Sequence, residues 1–191
     1  MNRVKNFLLS SAAVLVLAAC QTAPPVTETP DLSFTNLPVI NLNVARIEVV
    51  DNYRPSLNPP HVDHLFRQPP VQVAKQMIDR QLVANGSNGT LRITIDDASV
   101  IRRDLPVTEG IEGTFQNEPA EEYKARVALK FELLDESATG NASVTSDRTK
   151  TLMEDASPAD RDMAYVSIDE QVMRDLKEGF GGVVRNTFGW K

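Results

Sequence analysis

Residues 122–134 alternate apolar and polar side chains, and this pattern limits the folds open to the chain more than any other. The apolar positions are Tyr123, Ala125, Val127, Leu129, Phe131 and Leu133. Because neighbouring side chains of a strand point to opposite faces, one face of this strand faces a core and the other faces water. One-sided strands of this kind are typical of antiparallel sheets.

Three weaker patterns predict the other strands of the sheet. Apolar residues again recur at every second position over 42–50 and 90–100. Residues 142–153 are predicted to form a further strand that pairs with the strand over 122–134. The alternation is interrupted at Asp96-Asp97, which predicts a β-bulge. Residues 102–119 contain Gly110 and Gly113 and are predicted to form a long hairpin connection that can move.

Two segments have the apolar spacing of amphipathic helices. The first begins at Pro69-Pro70, since proline is favoured in a first turn, and is predicted to end at Asn85-Gly86, with Gly86 as a left-handed cap. Its apolar stripe comprises Val71, Val73, Ala74, Met77, Ile78 and Leu82. The two helices and four strands predict an α+β domain with a largely antiparallel four-stranded sheet and both helices on one face, in the order β-α-β-β-β-α.

The second helix is announced by its capping residues. Ser157 is placed as N-cap, Pro158 as first helical residue and Asp160 three positions after the cap. Its apolar stripe comprises Tyr165, Ile168, Val172, Met173, Leu176, Phe180, Val183, Val184 and Thr187. Gly179, Gly181 and Gly182 predict a kink or a close approach to the sheet, and Phe188 and Trp190 are predicted to pack.

Candidate catalytic or metal-binding residues are few. His61 and His64 flank Asp63, and imidazoles with a carboxylate can bind a metal. The pair lacks helical spacing and a third ligand at a recognisable distance, so an ordered loop packed through Val62, Leu65 and Phe66 is the favoured interpretation. Asp96 and Asp97 are neighbours on a strand and point to opposite faces, which disfavours a catalytic dyad. The sequence therefore predicts no catalytic, cofactor-binding or metal-binding residue, and no cofactor.

Charge limits the possible partners. The chain has a formal net charge of −6, whereas a nucleic-acid-binding domain requires a basic surface. Lys124, Arg126 and Lys130 lie on the polar face of the strand over 122–134. A solvated face is the favoured interpretation of these cations, and a docking patch for an acidic partner or an anionic lipid headgroup is the alternative.

The amino-terminal residues have the features of a secretory signal peptide. Arg3 and Lys5 precede an apolar run over 7–19, and Ala18-Ala19 are small. The run is shorter than the roughly 20 apolar residues that span a bilayer. Residues 1–19 are therefore predicted to be removed from the mature chain.

Leu17-Ala18-Ala19-Cys20 resembles the lipobox of bacterial lipoproteins, and Cys20 is the only cysteine. The resemblance implies cleavage between Ala19 and Cys20, attachment of diacylglycerol to the thiol, and acylation of the new amino terminus. Loss of Arg3 and Lys5 with the signal lowers the net charge from −6 to −8. By the family's sorting rule, Gln21 in place of an aspartate implies the outer membrane, with the inner membrane as the alternative.

Residues 20–41 contain Pro24, Pro25, Pro30 and Pro38 without helical or strand periodicity. They are predicted to form an extended tether between the lipid anchor and the domain. The predicted organisation is therefore a signal peptide over 1–19, a lipidated tether over 20–41 and a single periplasmic α+β domain over 42–191.

The anchor, tether and element order resemble small envelope lipoproteins, such as the lipopolysaccharide-assembly lipoprotein and the auxiliary lipoproteins of lipid-transport ABC systems. Residues 62–66, 81–86 and 96–100 also resemble uncharacterised alphaproteobacterial lipoproteins. These resemblances imply a non-catalytic accessory protein that binds an envelope complex or a lipid-like ligand. The alternatives are a structural role in envelope integrity and a hydrolase or metal-dependent enzyme, although the chain has no Gly-x-Ser-x-Gly motif.

Overall fold

The computed structural model describes residues 30, 32–108, 117–135 and 139–190. The elements in chain order are β1 (Ile40–Leu42), β2 (Arg46–Asp51), α1 (Pro70–Gln81), β3 (Leu82–Ala84), β4 (Thr90–Asp104), β5 (Pro119–Leu134), β6 (Thr139–Met153) and α2 (Pro158–Gly182). A short 3₁₀ turn over Asp63–Leu65 precedes α1, and a π-helical turn over Val183–Thr187 follows α2. The fold is thus α+β, with two helices and a mostly antiparallel sheet.

The main sheet has the order β2-β4-β5-β6. Strand β2 runs parallel to β4, while β4 pairs with β5 and β5 with β6 in antiparallel register. The register of β4 and β5 shifts between Ile95 and Asp97, which confirms the predicted bulge. Strands β1 and β3 form a separate parallel pair that the predicted order did not contain.

The core lies between the sheet and the helices. The inward side chains of β5 at Tyr123, Val127 and Leu129 are 0–1% exposed, as the alternation over 122–134 predicted. From α2, Phe180 meets Phe131 edge to face with ring centroids 5.8 Å apart. Burial of large apolar side chains on both layers makes this contact the main source of stabilisation.

The amino terminus of α2 has the predicted cap. Asp160 donates its backbone N–H to the Ser157 hydroxyl at 3.2 Å, and Ser157 donates its backbone N–H to the Asp160 carboxylate at 2.8 Å. This reciprocal pair is a capping box. Further along α2, a Cβ on Gly179 would collide with Cγ1 of Val144. Glycine there permits the close approach of helix and sheet that the sequence predicted.

The first helix ends earlier than predicted. It stops at Gln81, and residues 82–84 become β3 by pairing with β1. Gly86 does not have a positive φ, so the predicted left-handed cap is wrong. A Cβ on Gly86 would instead lie 2.5 Å from the carbonyl carbon of Asn43. Glycine is required because two backbone segments meet at this point.

The predicted strand over 42–50 is divided. Leu42 belongs to β1, a bend occupies 43–45, and β2 begins at Arg46. The bend is held by hydrogen bonds from the backbone N–H of Asn85 to the carbonyl of Leu42 and from that of Gly86 to the carbonyl of Val44, both 2.9 Å long. These long-range bonds override the local alternation.

Two predicted segment limits also change. Strand β4 continues to Asp104 and β5 begins at Pro119, so the predicted connection over 102–119 is too long at its first end, and its residues 109–116 lie outside the described residues. The predicted tether over 20–41 is too long at its carboxyl end. Phe34 is 8% exposed, and Leu32, Leu37 and Ile40 pack against the core.

Candidate functional site

A cavity of about 260 Å³ lies between the first half of α2 and the segment that leads into α1. Its walls are formed by nine residues: Pro30, Leu32, Leu65, Arg67, Gln68, Asp162, Tyr165, Val166 and Asp169. A concave, mostly apolar site with a few polar groups is the usual form of a small-ligand site. This cavity is therefore the candidate functional site.

Helical periodicity explains which α2 side chains reach the cavity. Asp162, Tyr165, Val166 and Asp169 are spaced at i, i+3, i+4 and i+7 and so share one face of the helix. The Tyr165 ring is held on two sides. It stacks on Phe66 with a centroid distance of 4.3 Å, and Tyr123 approaches it edge-on at 5.5 Å. The cavity wall is consequently rigid at its centre.

Asp169 is the unusual group in this wall. Asp169 is only 3% exposed, and burial raises the pKa of its carboxyl group to about 8. Within the described part of the chain its Oδ1 has no hydrogen-bond partner, and neither does the buried Oε1 of Gln68. Two buried acceptors without donors border the same cavity. A carboxyl with a strongly raised pKa in a cleft is a common mark of a functional site.

An ion cluster supports the cavity wall from the sheet side. Arg161 donates Nη2–H to Oε1 of Glu121 at 2.7 Å, and its Nε lies 3.1 Å from the same oxygen. Nη2 of Arg102 lies 3.3 Å from this oxygen, and the Tyr123 hydroxyl donates to Oε2. Glu121 thus joins β4, β5 and α2 directly beside Asp162 and Tyr165.

Replacing Glu121 by glutamine is expected to lower the free energy of unfolding by about 2 kcal/mol at pH 7, because two arginines lose their shared carboxylate. The Arg161 hydrogen bond holds the pKa of Glu121 below its usual value. This stabilisation is present above the ordinary glutamate pKa of about 4.3 and is lost as the pH falls through the lower folded-state pKa.

Urea unfolding at pH 7 and at lower pH values would test this expectation. The stabilities of wild type and Glu121→Gln should converge as the solution becomes more acidic than pH 4. The control is Glu122→Gln, since Glu122 pairs with the exposed Arg103 and should change stability by only about 0.5 kcal/mol. Equal effects of the two substitutions at pH 7 would contradict the central role of Glu121.

His61, Asp63 and His64 are not among the residues that line this cavity. Asp63 is 2% exposed, Val62 and Phe66 are buried as predicted, and Leu65 is 57% exposed, so the prediction that Leu65 packs under the sheet is wrong. Among the described residues, no group of three or more His, Cys, Asp or Glu side chains is arranged to hold a metal.

The other charged candidates have separate partners. Asp97 accepts a hydrogen bond from the Ser99 backbone at 3.0 Å, and Asn52 donates to Asp96 at 3.5 Å. The three outward cations of β5 lie in ion pairs: Lys124 with Glu122 at 3.5 Å, Arg126 with Asp147 at 2.7 Å, and Lys130 with Glu132 at 3.0 Å. This pairing favours the solvated-face interpretation over a docking patch.

Ala19, Cys20 and the predicted signal peptide over 1–19 lie outside the described residues. Within the described ranges, no helix is both long enough and apolar enough to cross a membrane.

Sequence reasoning missed Asp162, Gln68 and Asp169. For Asp169 a signal was present, because it follows Ile168 and lies four residues after Tyr165 and three before Val172, within the apolar stripe of α2. An acidic residue inside such a stripe is buried at a cost unless something neutralises it. No comparable signal marks Gln68, which precedes the helix and reaches the cavity only through the packing of its segment.

Comparisons with known proteins find distant likenesses among solved structures. Rare lipoprotein B from Shewanella oneidensis is 10% identical with a TM-score of 0.39, over 73% of this chain and 93% of that one. A minor lipoprotein from Acinetobacter baumannii is 11% identical with a TM-score of 0.31, over 74% and 94%. PelC from Paraburkholderia phytofirmans is 12% identical with a TM-score of 0.27, over 74% and 88%. No family model and no curated protein sequence matches the chain.

Proposed function

We propose that this chain is a non-catalytic lipoprotein of the bacterial cell envelope, anchored in the outer membrane through Cys20 and acting as the binding component of an envelope transport or assembly system. The observation that carries the proposal is Leu17-Ala18-Ala19-Cys20 at the end of a charged and then apolar leader. Several acyl chains on one cysteine make an anchor stable, since each buried methylene contributes about 0.8 kcal/mol.

The short distance along the chain between Cys20 and the cavity supports a function close to the membrane surface. Pro30 is part of the cavity wall and follows Cys20 by ten residues. A segment of that length reaches at most about 35 Å when fully extended. A lipid on Cys20 therefore keeps the cavity within reach of the membrane surface and of the proteins embedded in it.

The groups lining the cavity support binding. They combine apolar walls, a rigid tyrosine and the buried acceptors of Asp169 and Gln68, which can hold and orient a ligand. Partners are thus expected to be the membrane, through the anchor, and an envelope protein complex or a lipid-like ligand.

Replacing Cys20 by serine is expected to abolish incorporation of radiolabelled palmitate and to release the chain from washed membranes, because the acylated thiol is absent. Gln21→Asp is the matched control. It should retain the label but move the protein from the outer-membrane to the inner-membrane fraction on a sucrose gradient. A Cys20→Ser protein that stays labelled and membrane-bound would refute lipidation.

Crosslinking in living cells tests the accessory role separately. Wild type and Cys20→Ser are tagged, crosslinked and purified in parallel. Capture of an envelope permease, a lipid-binding component or an outer-membrane barrel by wild type alone supports a lipid-dependent accessory role. Full complementation of a deletion by Cys20→Ser would show that the anchor is dispensable, and would contradict it.

A further inference from the structure

The cavity beside α2 contains a buried carboxyl group, one oxygen of which lacks a hydrogen-bond donor within the described part of the chain. Asp169 is 3% exposed, and its Oδ1 has no hydrogen-bond donor among the described residues. Burying a carboxyl without a partner is costly, and the cost is relieved when a cation or a donor is supplied. Because this carboxyl borders a cavity, the missing partner can enter from outside.

The neighbouring groups define what that partner should be. Gln68 Oε1 is a second buried acceptor without a donor in the described structure, and Asp162 adds a carboxylate at the exposed end of the cavity. An ammonium group carries three hydrogens and one positive charge, which match several acceptors around one point. Arg67 also borders the cavity, but two carboxyl groups disfavour an anion there.

The size and the walls of the cavity limit the rest of the ligand. Its volume is about 260 Å³, slightly below the roughly 300 Å³ at which typical small-molecule sites begin. At about 30 Å³ for each water-sized group, this accommodates fewer than about ten heavy atoms. The apolar walls are formed by Leu32, Leu65, Val166 and the Tyr165 ring, and they suit a short alkyl chain.

We propose that this cavity binds a primary ammonium group on a short alkyl chain, with the ammonium hydrogens donated to Asp169 and to Gln68 Oε1. Two sources carry this chemistry: a free alkyl amine and the ethanolamine headgroup of a membrane lipid. This inference goes beyond the proposed function, and it does not depend on the anchor at Cys20.

Calorimetric titration of the purified full chain in mild detergent tests the proposal. The probes are 1,4-diaminobutane for the free amine and glycerophosphoethanolamine for the headgroup, of which only the ethanolamine end has to enter the cavity. The uncharged analogue is 1-butanol, and the anion is acetate. Binding of either amine supports the site, and the preferred amine identifies the source. Binding of acetate alone, or of no probe at 10 mM, overturns the proposal.

Substitutions locate the binding. Asp169→Asn is expected to weaken amine binding at least tenfold, because the carboxylate charge is lost. Glu170→Gln is the matched control, since Glu170 is the next residue of α2 and is exposed, and its affinity should stay within twofold of wild type. Equal affinities for Asp169→Asn and wild type would place any binding elsewhere and overturn the assignment.

The pH dependence of binding and the release of a proton distinguish a ligand-binding carboxyl from one that has only a structural role. Burial raises the pKa of Asp169 to about 8, so a bound ammonium must displace the proton from Asp169. Among the described residues, the other charged or titratable groups that line the cavity are Asp162 and Tyr165 on α2 and Arg67 on the preceding segment. Affinity should therefore increase from pH 6 to pH 8 in wild type, with proton release detected in buffers of different ionisation enthalpy. A pH-independent affinity would contradict direct contact with Asp169.

The proposal on amine binding and the proposal on membrane anchoring can be refuted independently by these experiments. If the amine titration is negative while Cys20→Ser detaches from membranes, the cavity assignment is wrong and the lipoprotein proposal stands. If the amine binds while Cys20→Ser remains labelled with palmitate, the cavity assignment stands and the lipoprotein proposal is wrong.

Discussion

Substituting asparagine for Asp169 is expected to remove most of the decline in stability that the wild-type protein shows between pH 5 and pH 8. In the folded chain the buried carboxyl keeps its proton up to a pKa of about 8, whereas in the unfolded chain it ionises near 3.9. The folded state therefore binds more protons in this window, and its stability falls as the pH rises.

The size of this effect follows from the difference in pKa. Each pKa unit corresponds to about 1.4 kcal/mol. Ionisation of Asp169 in the unfolded chain therefore lowers the wild-type free energy of unfolding by on the order of 4 kcal/mol at pH 7. The asparagine amide does not titrate. Its own unmet hydrogen bonds lower stability by about 1–3 kcal/mol at every pH, which makes the variant comparable to wild type at pH 5 and more stable at pH 8.

Urea unfolding of both proteins at pH 5, 6, 7 and 8 would measure the difference. The Glu121 contribution changes only below about pH 4.5 and lies outside this range. Parallel stability curves for wild type and Asp169→Asn would show that the folded carboxyl is already ionised.

Truncating Phe180 to alanine is expected to lower the free energy of unfolding by about 3–5 kcal/mol, the usual cost for a fully buried phenylalanine. Phe180 is 1% exposed and makes an edge-to-face contact with Phe131 across the main helix–sheet interface. Its removal leaves a cavity at a place where Gly179 already lies against Val144, and this backbone contact restricts closure of the cavity.

The control for this substitution is Phe188→Ala. Phe188 is only partly buried and stacks on Trp190 at 4.8 Å, so its loss should cost about 1 kcal/mol. The shift in urea midpoint, with the denaturant slope unchanged, measures both effects. A loss below 1 kcal/mol for Phe180→Ala would mean that the helix–sheet interface is not the main stabilising contact.

Several features could be predicted because their physical causes are local. The alternation over 122–134 selects which β5 side chains face the core, and Ser157 with Asp160 places the start of α2. The bulge at Asp96 could also be predicted, since two successive polar residues interrupt an apolar alternation. In each case the determining residues lie within a few positions of the feature.

Other features could not be predicted, because the partners are distant in sequence. Helical periodicity continues through Leu82, yet residues 82–84 pair with Ile40–Leu42, and backbone hydrogen bonding to another segment outweighs helix propensity. The four prolines of residues 20–41 predict an extended tether over that whole segment. Phe34 nevertheless packs against the core, because a single apolar side chain can be buried without any periodic pattern.

The sequence alone determined the local elements and the presence of an acidic residue in the apolar stripe of α2, and it predicts lipidation at Cys20. Only the tertiary structure decided that Oδ1 of Asp169 has no hydrogen-bond donor among the described residues, because the cavity around it is lined by segments about 100 and 140 residues earlier in the chain, at Gln68 and Pro30. The free energy of a buried charge depends on every group that surrounds it. That environment exists only after the chain has folded.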